Sequence, residues 1–185
     1  ELGKIESLAH RRRKFQKNNG NVDVATVASL LEDCRNLGTI PFSVLARHAF
    51  IARSLLHSLV STGLLMPEEA DSFFRSIRTI ASEFSADSRL LAEAKLSRDL
   101  FFGKYGQLRP GTYDILSLRY DQRDDLFDEN KSLKPTEDHS GFNLKSNRTS
   151  AIDNALAAHQ LDLTCDQLFE YIRKATAARE YAKFI

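Results

Sequence analysis

The stretch PFSVLARHAFIARSLLHSLVST, residues 41 to 62, decides the fold. Leu45, Ala49, Ala52, Leu56 and Leu59 recur in it at spacings of 4, 3, 4 and 3. That period puts one apolar stripe on an α-helix and lacks the strict alternation of a half-buried strand. Gly63 reads as the stop of this helix, and Thr39-Ile40-Pro41 as a break ahead of it.

The same period extends outward in both directions. Upstream, Ile5 to Lys17 reads as a basic amphipathic helix ended by Asn18-Asn19-Gly20. Asp23 caps a second helix to about Leu37, with Val24, Val27, Leu30, Leu31 and Cys34 on its apolar face and Gly38 as its stop. Downstream, Pro67 opens a helix at a position where its missing N–H costs little. Phe73, Ile77, Ile80 and Phe84 follow at 4, 3 and 4 as one buried stripe. Asp87 or Ser88 is expected to cap a further helix, which carries Leu90, Leu91, Ala94, Leu100 and Phe101 to about Tyr105. Residues 106 to about 149 form a long irregular excursion, polar and acidic after Asp124 and containing Pro135 and Gly141. Helix resumes at Ser150 to about His159, then from Thr164 or Cys165 to the end. The expectation is an all-α fold, an irregular bundle of six or seven helices, with residues 1–185 as a single helical domain.

Composition narrows the function classes. The chain has 185 residues, 42% hydrophobic and 28% charged, with a net charge of +1, so nothing general points to a polyanionic partner. No window approaches about 18 uninterrupted apolar residues, so no membrane span is expected. Cys34 and Cys165 lie far apart without metal-ligand spacing, which fits two small buried or half-buried thiols in a reducing cytoplasm; a single disulfide stays open. The chain begins at Glu1 and closes on Glu180-Tyr-Ala-Lys-Phe-Ile185 with no cap, and is read as a fragment of a longer protein.

Residues able to carry chemistry are few. The sequence holds no phosphate loop, no dinucleotide fingerprint, no His-Glu-x-x-His and no Gly-x-Ser-x-Gly. His139 reads as a solvated loop histidine, and Arg47 and His48 as hydrogen-bonded structural residues. The run His10-Arg-Arg-Arg-Lys14 reads as a solvated face near a helix C-terminus, since no aromatic residues interleave it as in a nucleic-acid site. KYGQLRPGTYDILSLRYDQR, residues 104 to 123, is richer. Arg109-Pro110-Gly111 suits a turn, while Arg109, Arg119 and Arg123 arrive with Asp114 and Asp121. Arginine forks bind carboxylates or phosphates, so the stretch is either an ion-pair lattice or an anion site. On the last helix Arg179 and Lys183 stand four apart on one face, as an exposed basic end or as a phosphate contact.

Three segments carry a family resemblance. Tyr105-Gly-Gln-Leu-Arg-Pro-Gly-Thr-Tyr-Asp-Ile-Leu-Ser-Leu-Arg-Tyr-Asp121 resembles the Tyr-Gly-His…Arg-Pro-Gly…Asp…Ser-Pro-Arg-Tyr segment of phosphoenolpyruvate-synthase-like phosphotransferases, the group of pyruvate phosphate dikinase and the rifampicin phosphotransferases. The stretch from Pro41 to Leu59 is similar to the preceding helix of those proteins, and Ala178-Arg-Glu-Tyr-Ala-Lys183 to their Arg-Glu-x-x-Lys helix. The matches fall in the family order and frame nearly the whole chain.

The resemblance implies the helical central region, acceptor-binding or linker, of a parent that also has ATP-grasp and phosphohistidine domains. Such a parent uses ATP and Mg, converts ATP to AMP and phosphate, and passes a phosphoryl group through the histidine to a small-molecule acceptor. The fragment alone is expected to bind no cofactor or metal and to catalyse nothing. Arg179 and Lys183 are implied to face the phosphoryl group, and Arg109 and Tyr113 to line the acceptor pocket. Gln107 stands where relatives carry histidine, and Leu118 where they carry proline, so only binding roles are carried over. The competing class is a non-enzymatic helical protein-interaction module; a basic RNA-binding domain comes third, discouraged by the near-neutral charge. No nucleic acid or membrane partner is expected.

Overall fold

A computed structural model of the chain describes residues 1–17, 22–109, 116–123 and 141–184. The turn at Pro110-Gly111, Tyr113, Asp114, Pro135, His139 and the expected stop at Asn18-Asn19-Gly20 lie outside the described residues. In chain order the α-helices are α1 (Leu2–Lys17), α2 (Val24–Asp33), α3 (Ile40–Ser61), α4 (Pro67–Ser76), α5 (Ile80–Ala92), α6 (Arg98–Tyr105), α7 (Ser146–Ala158) and α8 (Cys165–Phe184). A π-helical stretch occupies Cys34–Thr39 and a 3₁₀ turn Tyr120–Gln122. The protein is all-α, and no strand occurs among the described residues. It divides into two compact units, one of Glu1–Ile77 with His139–Ile185 and one of Arg78–Asp138.

In the first unit, the α3 stripe behaves as its spacing predicts. Ala52, Leu56 and Leu59 are buried, while Leu45 and Ala49 are half-buried. They join a single core with Ala70, Phe73 and Ile77 near α4, Ile152 and Leu156 of α7, and Cys165, Leu168, Phe169, Ile172 and Ala175 of α8. Phe73 sits edge-on to Phe169, with ring centroids 4.8 Å apart, and to Phe142 at 5.1 Å. These are the orientations that the ring quadrupoles favour. Arg148 of α7 clamps the α3–α4 corner: its Nη1 donates to the carbonyls of Gly63 and Leu64, and its guanidinium pairs with Glu69 at 3.1 Å. Gly63 takes φ 73°, the left-handed residue that ends α3 as expected.

Between α2 and α3 the predicted break does not occur. Gly38 stops nothing, and Cys34–Thr39 winds on as a π-helix directly into α3. Ile40 N–H bonds back to the Arg35 carbonyl, the five-residue register of that wider turn. Pro41 sits in the first turn of α3, where a missing N–H costs little. Gly38 instead makes room for α1, because a Cβ there would stand 3.0 Å from Leu8 Cδ2. Cys34 is exposed, contrary to the expectation of a buried or half-buried thiol, whereas Cys165 is buried; both are free.

The stripe read from Phe73 to Phe84 is cut in two. The α4 helix ends at Ser76, because Thr79 takes extended backbone angles (φ −123°, ψ 164°) and caps α5. Thr79 Oγ1 accepts from Ser82 N–H, and Ser82 Oγ accepts from Thr79 N–H. Ile77 is buried in the first unit, and Ile80 and Phe84 belong to the second. The expected caps Asp87 and Ser88 lie inside α5 instead. The chain turns at Ala94 (φ 55°), and Ser97 caps α6 through Leu100 N–H. The irregular excursion is also shorter than predicted, because α7 starts at Ser146 rather than Ser150.

The second unit is built around aromatic rings and one carboxylate. Phe84 stacks on Tyr120 at 5.4 Å and meets Tyr105 edge-on at 5.0 Å, while Phe101 lies 4.9 Å from Tyr105. Tyr105 O–H donates to Asp87 Oδ2 at 2.6 Å, and Lys104 Nζ approaches the same oxygen at 3.0 Å and Glu83 at 3.2 Å. Burial opposes ionisation of Asp87, but those hydrogen bonds outweigh it and hold its carboxyl below the usual range. Burial and the bond to Asp87 push the Tyr105 phenol up to about 12.

Two consequences are measurable. Phe73→Ala should cost about 3–5 kcal/mol in chemical denaturation, whereas Leu31→Ala on the exposed face of α2 should stay within about 0.5 kcal/mol. The signs at Asp87 and Tyr105 are opposite. A depressed carboxyl contributes stability above its unfolded pKa and loses it as pH falls through the lower folded value. A raised phenol contributes below its unfolded pKa and loses it as pH climbs toward about 12. Denaturation across pH should therefore show both limbs, with Asp87→Asn flattening the acid limb and Tyr105→Phe the alkaline one. Unchanged limbs in both variants would remove the pair from the stability of this unit.

Candidate functional site

The buried face of α8 runs through Leu168, Ile172 and Ala175, at spacings of 4 and 3. Continuing that stripe by four residues gives Arg179, and by four more Lys183, so both cations extend the line of the core. Their side chains are accordingly only 33% and 38% exposed. Glu180 answers the repulsion expected between them. Its Oε1 lies 3.4 Å from Arg179 Nη1 and 3.3 Å from Lys183 Nζ, so one carboxylate serves two cations. One positive charge is left in excess.

Arg179 has two further features. Its guanidinium carbon stands 5.5 Å from the centroid of the Phe50 ring on α3, within cation–π range. Its Nε is buried and has no hydrogen-bond partner among the described residues. A buried donor without an acceptor costs on the order of 1–3 kcal/mol, and the anion-binding capacity of the group rests on its excess charge. The group can therefore bind and orient an anion. Phe50 was not singled out by the sequence, although an aromatic residue off the Leu45–Leu59 stripe is the signal that could have found it.

Arg109 belongs to the second unit, where its Nη1 donates to the Ser117 carbonyl and braces the return of the chain. Arg119 forks onto Asp121 through Nε and Nη2 at 2.9 and 3.0 Å, an ion pair as the lattice reading expects. Gly106 in this segment is required by close approach: a Cβ there would stand 2.5 Å from the Phe102 carbonyl oxygen and 3.0 Å from Asp121 Cβ. Gln107 donates to the Lys104 carbonyl, and Leu118 is exposed. Arg179 and Lys183 are thus brought together on α8, Arg109 stands in the other unit, and Tyr113 lies outside the described residues.

Among the described residues, the partners of the two cations are the Glu180 carboxylate and the Phe50 ring. His48 shares its Nδ1 with Tyr171 O–H at 3.1 Å, the hydrogen-bonded structural role expected of it. A cavity of about 530 Å³ at the α7–α8 corner is lined by Phe142, Thr149, Cys165, Asp166, Phe169 and Arg173. Arg173 is committed there, lying over the Phe73 ring at 5.2 Å and facing Glu170 at 3.7 Å. Burial first, then Asp153 and Asp166, push the Cys165 thiol up to about 11, so it is not a thiolate at neutral pH. The described residues hold no group of three His, Cys, Asp or Glu side chains placed to bind a metal, and no helix long and apolar enough to cross a membrane.

The two thiols should separate under a thiol reagent at neutral pH. Cys34 should react in the native protein and Cys165 only on unfolding, as peptide mapping of the labelled sites would show; rapid native labelling of Cys165 would contradict its burial. Comparison of the chain with protein-family models, characterised proteins and solved structures returns no match.

Proposed function

We propose that this chain is the helical central region, acceptor-binding or linker, of an ATP-dependent phosphoenolpyruvate-synthase-like phosphotransferase. The observation that carries the proposal is the α8 group: half-buried Arg179 and exposed Lys183 share the one carboxylate of Glu180 and leave a positive charge in excess. A phosphoryl group arriving on a histidine of another domain neutralises the excess charge. Arg179 binds it as a fork beside the Phe50 ring, and Lys183 adds a point charge. As charge spreads over the equatorial oxygens during transfer, these fixed cations stabilise it without having to reorganise. The ordered sequence resemblance supports the same assignment. ATP and Mg belong to the ATP-grasp domain in this scheme, and the role of this chain is to hold the transferring group and its acceptor. Arg109 lies in the segment that the resemblance connects with the acceptor.

The test needs the full-length protein. Incubation with β-labelled ATP should yield an acid-labile phosphohistidine. Arg179→Ala and Lys183→Ala should each slow its discharge to the acceptor about 10²-fold while leaving ATP binding intact. Absence of a phosphohistidine would defeat the family assignment; normal discharge in both variants would defeat the role of α8 alone.

A further inference from the structure

The outward face of α3 carries positive charge that the chain itself does not answer. From Ile40 to Ser61 the helix has no acidic residue, yet it holds Arg47, His48, Arg53 and His57. Arg47, Phe50, Arg53 and His57 are exposed. Phe50 has an arginine three residues away on either side, close enough for both to neighbour its ring on the helix surface. Arg47 and Arg53 make no hydrogen bond or ion pair among the described residues, so the structural bond expected of Arg47 is not formed. From α8, Arg179 approaches the same ring, Lys183 stands one turn further on, and Glu180 offsets one of those two charges. Arg47, Arg53 and one of the α8 cations are thus left without a carboxylate. The chain as a whole is close to neutral, so this excess is local.

The chemistry of this face decides what it fits. Its apolar part is the Phe50 ring, 62% exposed, and Ile51 at 46%, too little for the apolar centre of a protein interface. A bilayer takes up the apolar side of a helix, and that side of α3 is committed to the core through Ala52, Leu56 and Leu59. What remains is an open, arginine-rich surface around an aromatic ring. Cations that track phosphates and a ring on which a base stacks are the two parts of a single-strand site. A duplex would use the cations and leave the ring idle, because its bases are already stacked on one another. Ser54, one turn from Phe50, is exposed, and its hydroxyl has no partner among the described residues; it can meet a 2′-hydroxyl, the group that marks RNA. We propose that the outward face of α3, together with Arg179 and Lys183, binds single-stranded RNA. Arg47, Arg53 and the α8 pair hold phosphates, Phe50 stacks a base, and Ser54 meets a ribose. The proposal goes beyond the phosphotransferase reading and stands on Arg47, Arg53 and Ser54, which that reading does not use. It is tested without ATP or a histidine domain, so either reading can fail alone.

The probe is a fluorescein-labelled uridine oligonucleotide of about 12 residues, within the span of single-strand sites. Titrated with the whole chain at low salt and read by anisotropy, it should bind saturably, and log affinity should fall against log salt with a slope of about −2. Phe50→Ala should weaken binding about tenfold, the loss of one stacked base. Arg47→Gln combined with Arg53→Gln should flatten the slope to about −0.7. All of these side chains are exposed, so the circular dichroism spectrum should not change. The matching deoxyuridine strand should bind less tightly, and Ser54→Ala should remove that difference. No saturable binding, full affinity in Phe50→Ala, or an unchanged slope in the arginine variant would overturn the proposal. Loss of binding in Arg13→Gln with Lys14→Gln would also overturn it, by assigning the contact to the basic run of α1. Equal affinity for the deoxy strand would overturn the assignment to RNA, and tighter binding of a polyglutamate peptide would give the face to an acidic protein instead.

Discussion

The pairing of α3 with α8 is the constraint from which the rest of the first unit follows. Each of these long helices contributes a stripe of small and branched residues to the same core, and the rings of Phe73 and Phe169 close it. Burial of the leucine, isoleucine and phenylalanine side chains among them is worth about 1.5–3 kcal/mol apiece, so the register between the two helices is strongly held. That register carries past the apolar residues. It brings Phe50 of α3 under Arg179 of α8, and it joins His48 to Tyr171. The candidate anion site is thus an extension of the core stripe into charged residues.

The second unit solves the same problem with other means. Its described residues pack Phe84, Phe101, Tyr105 and Tyr120 ring to ring. The phenol of Tyr105 needs a buried partner, and Asp87 supplies one while also holding Lys104. This explains why Asp87 does not cap a helix: its oxygen is occupied by a contact eighteen residues away. Gly106 then lets the returning segment approach closely, with Tyr120 N–H bonding the Leu108 carbonyl at 2.9 Å.

Much of the fold was legible because the 3–4 spacing of α3 is a direct image of its buried face. The start of α4 at Pro67 and the Asp23 cap were equally readable, since both depend on a residue's own backbone chemistry. What failed was choice among equals. Thr79, Asp87, Ser88 and Ser97 are all competent caps, and only tertiary contacts decide which are free to act. The Gly38–Pro41 signal also misled, because glycine and proline were weighed as breakers of an α-helix, and the chain answered with a wider helix instead. At the candidate site Arg179 and Lys183 were visible from their spacing. The Phe50 contact and the Arg148 clamp were not, because both join residues far apart in the sequence.

The π-helical stretch has a consequence for how this chain tolerates change in length. A wider turn of this kind is what a helix becomes when it absorbs one additional residue without breaking. Removing a single residue from Cys34–Thr39 would restore an uninterrupted α-helix through α2 and α3, since the flanking residues Asp33 and Ile40 already have helical angles. The outer segment would then turn by roughly 100° about its axis relative to α3. Val24, Val27 and Leu31 would swing to a different side of the molecule, with every residue identity outside the deletion preserved. The bulge acts as a phase setting: the direction in which α2 presents its apolar side is written in the count of residues rather than in their kind.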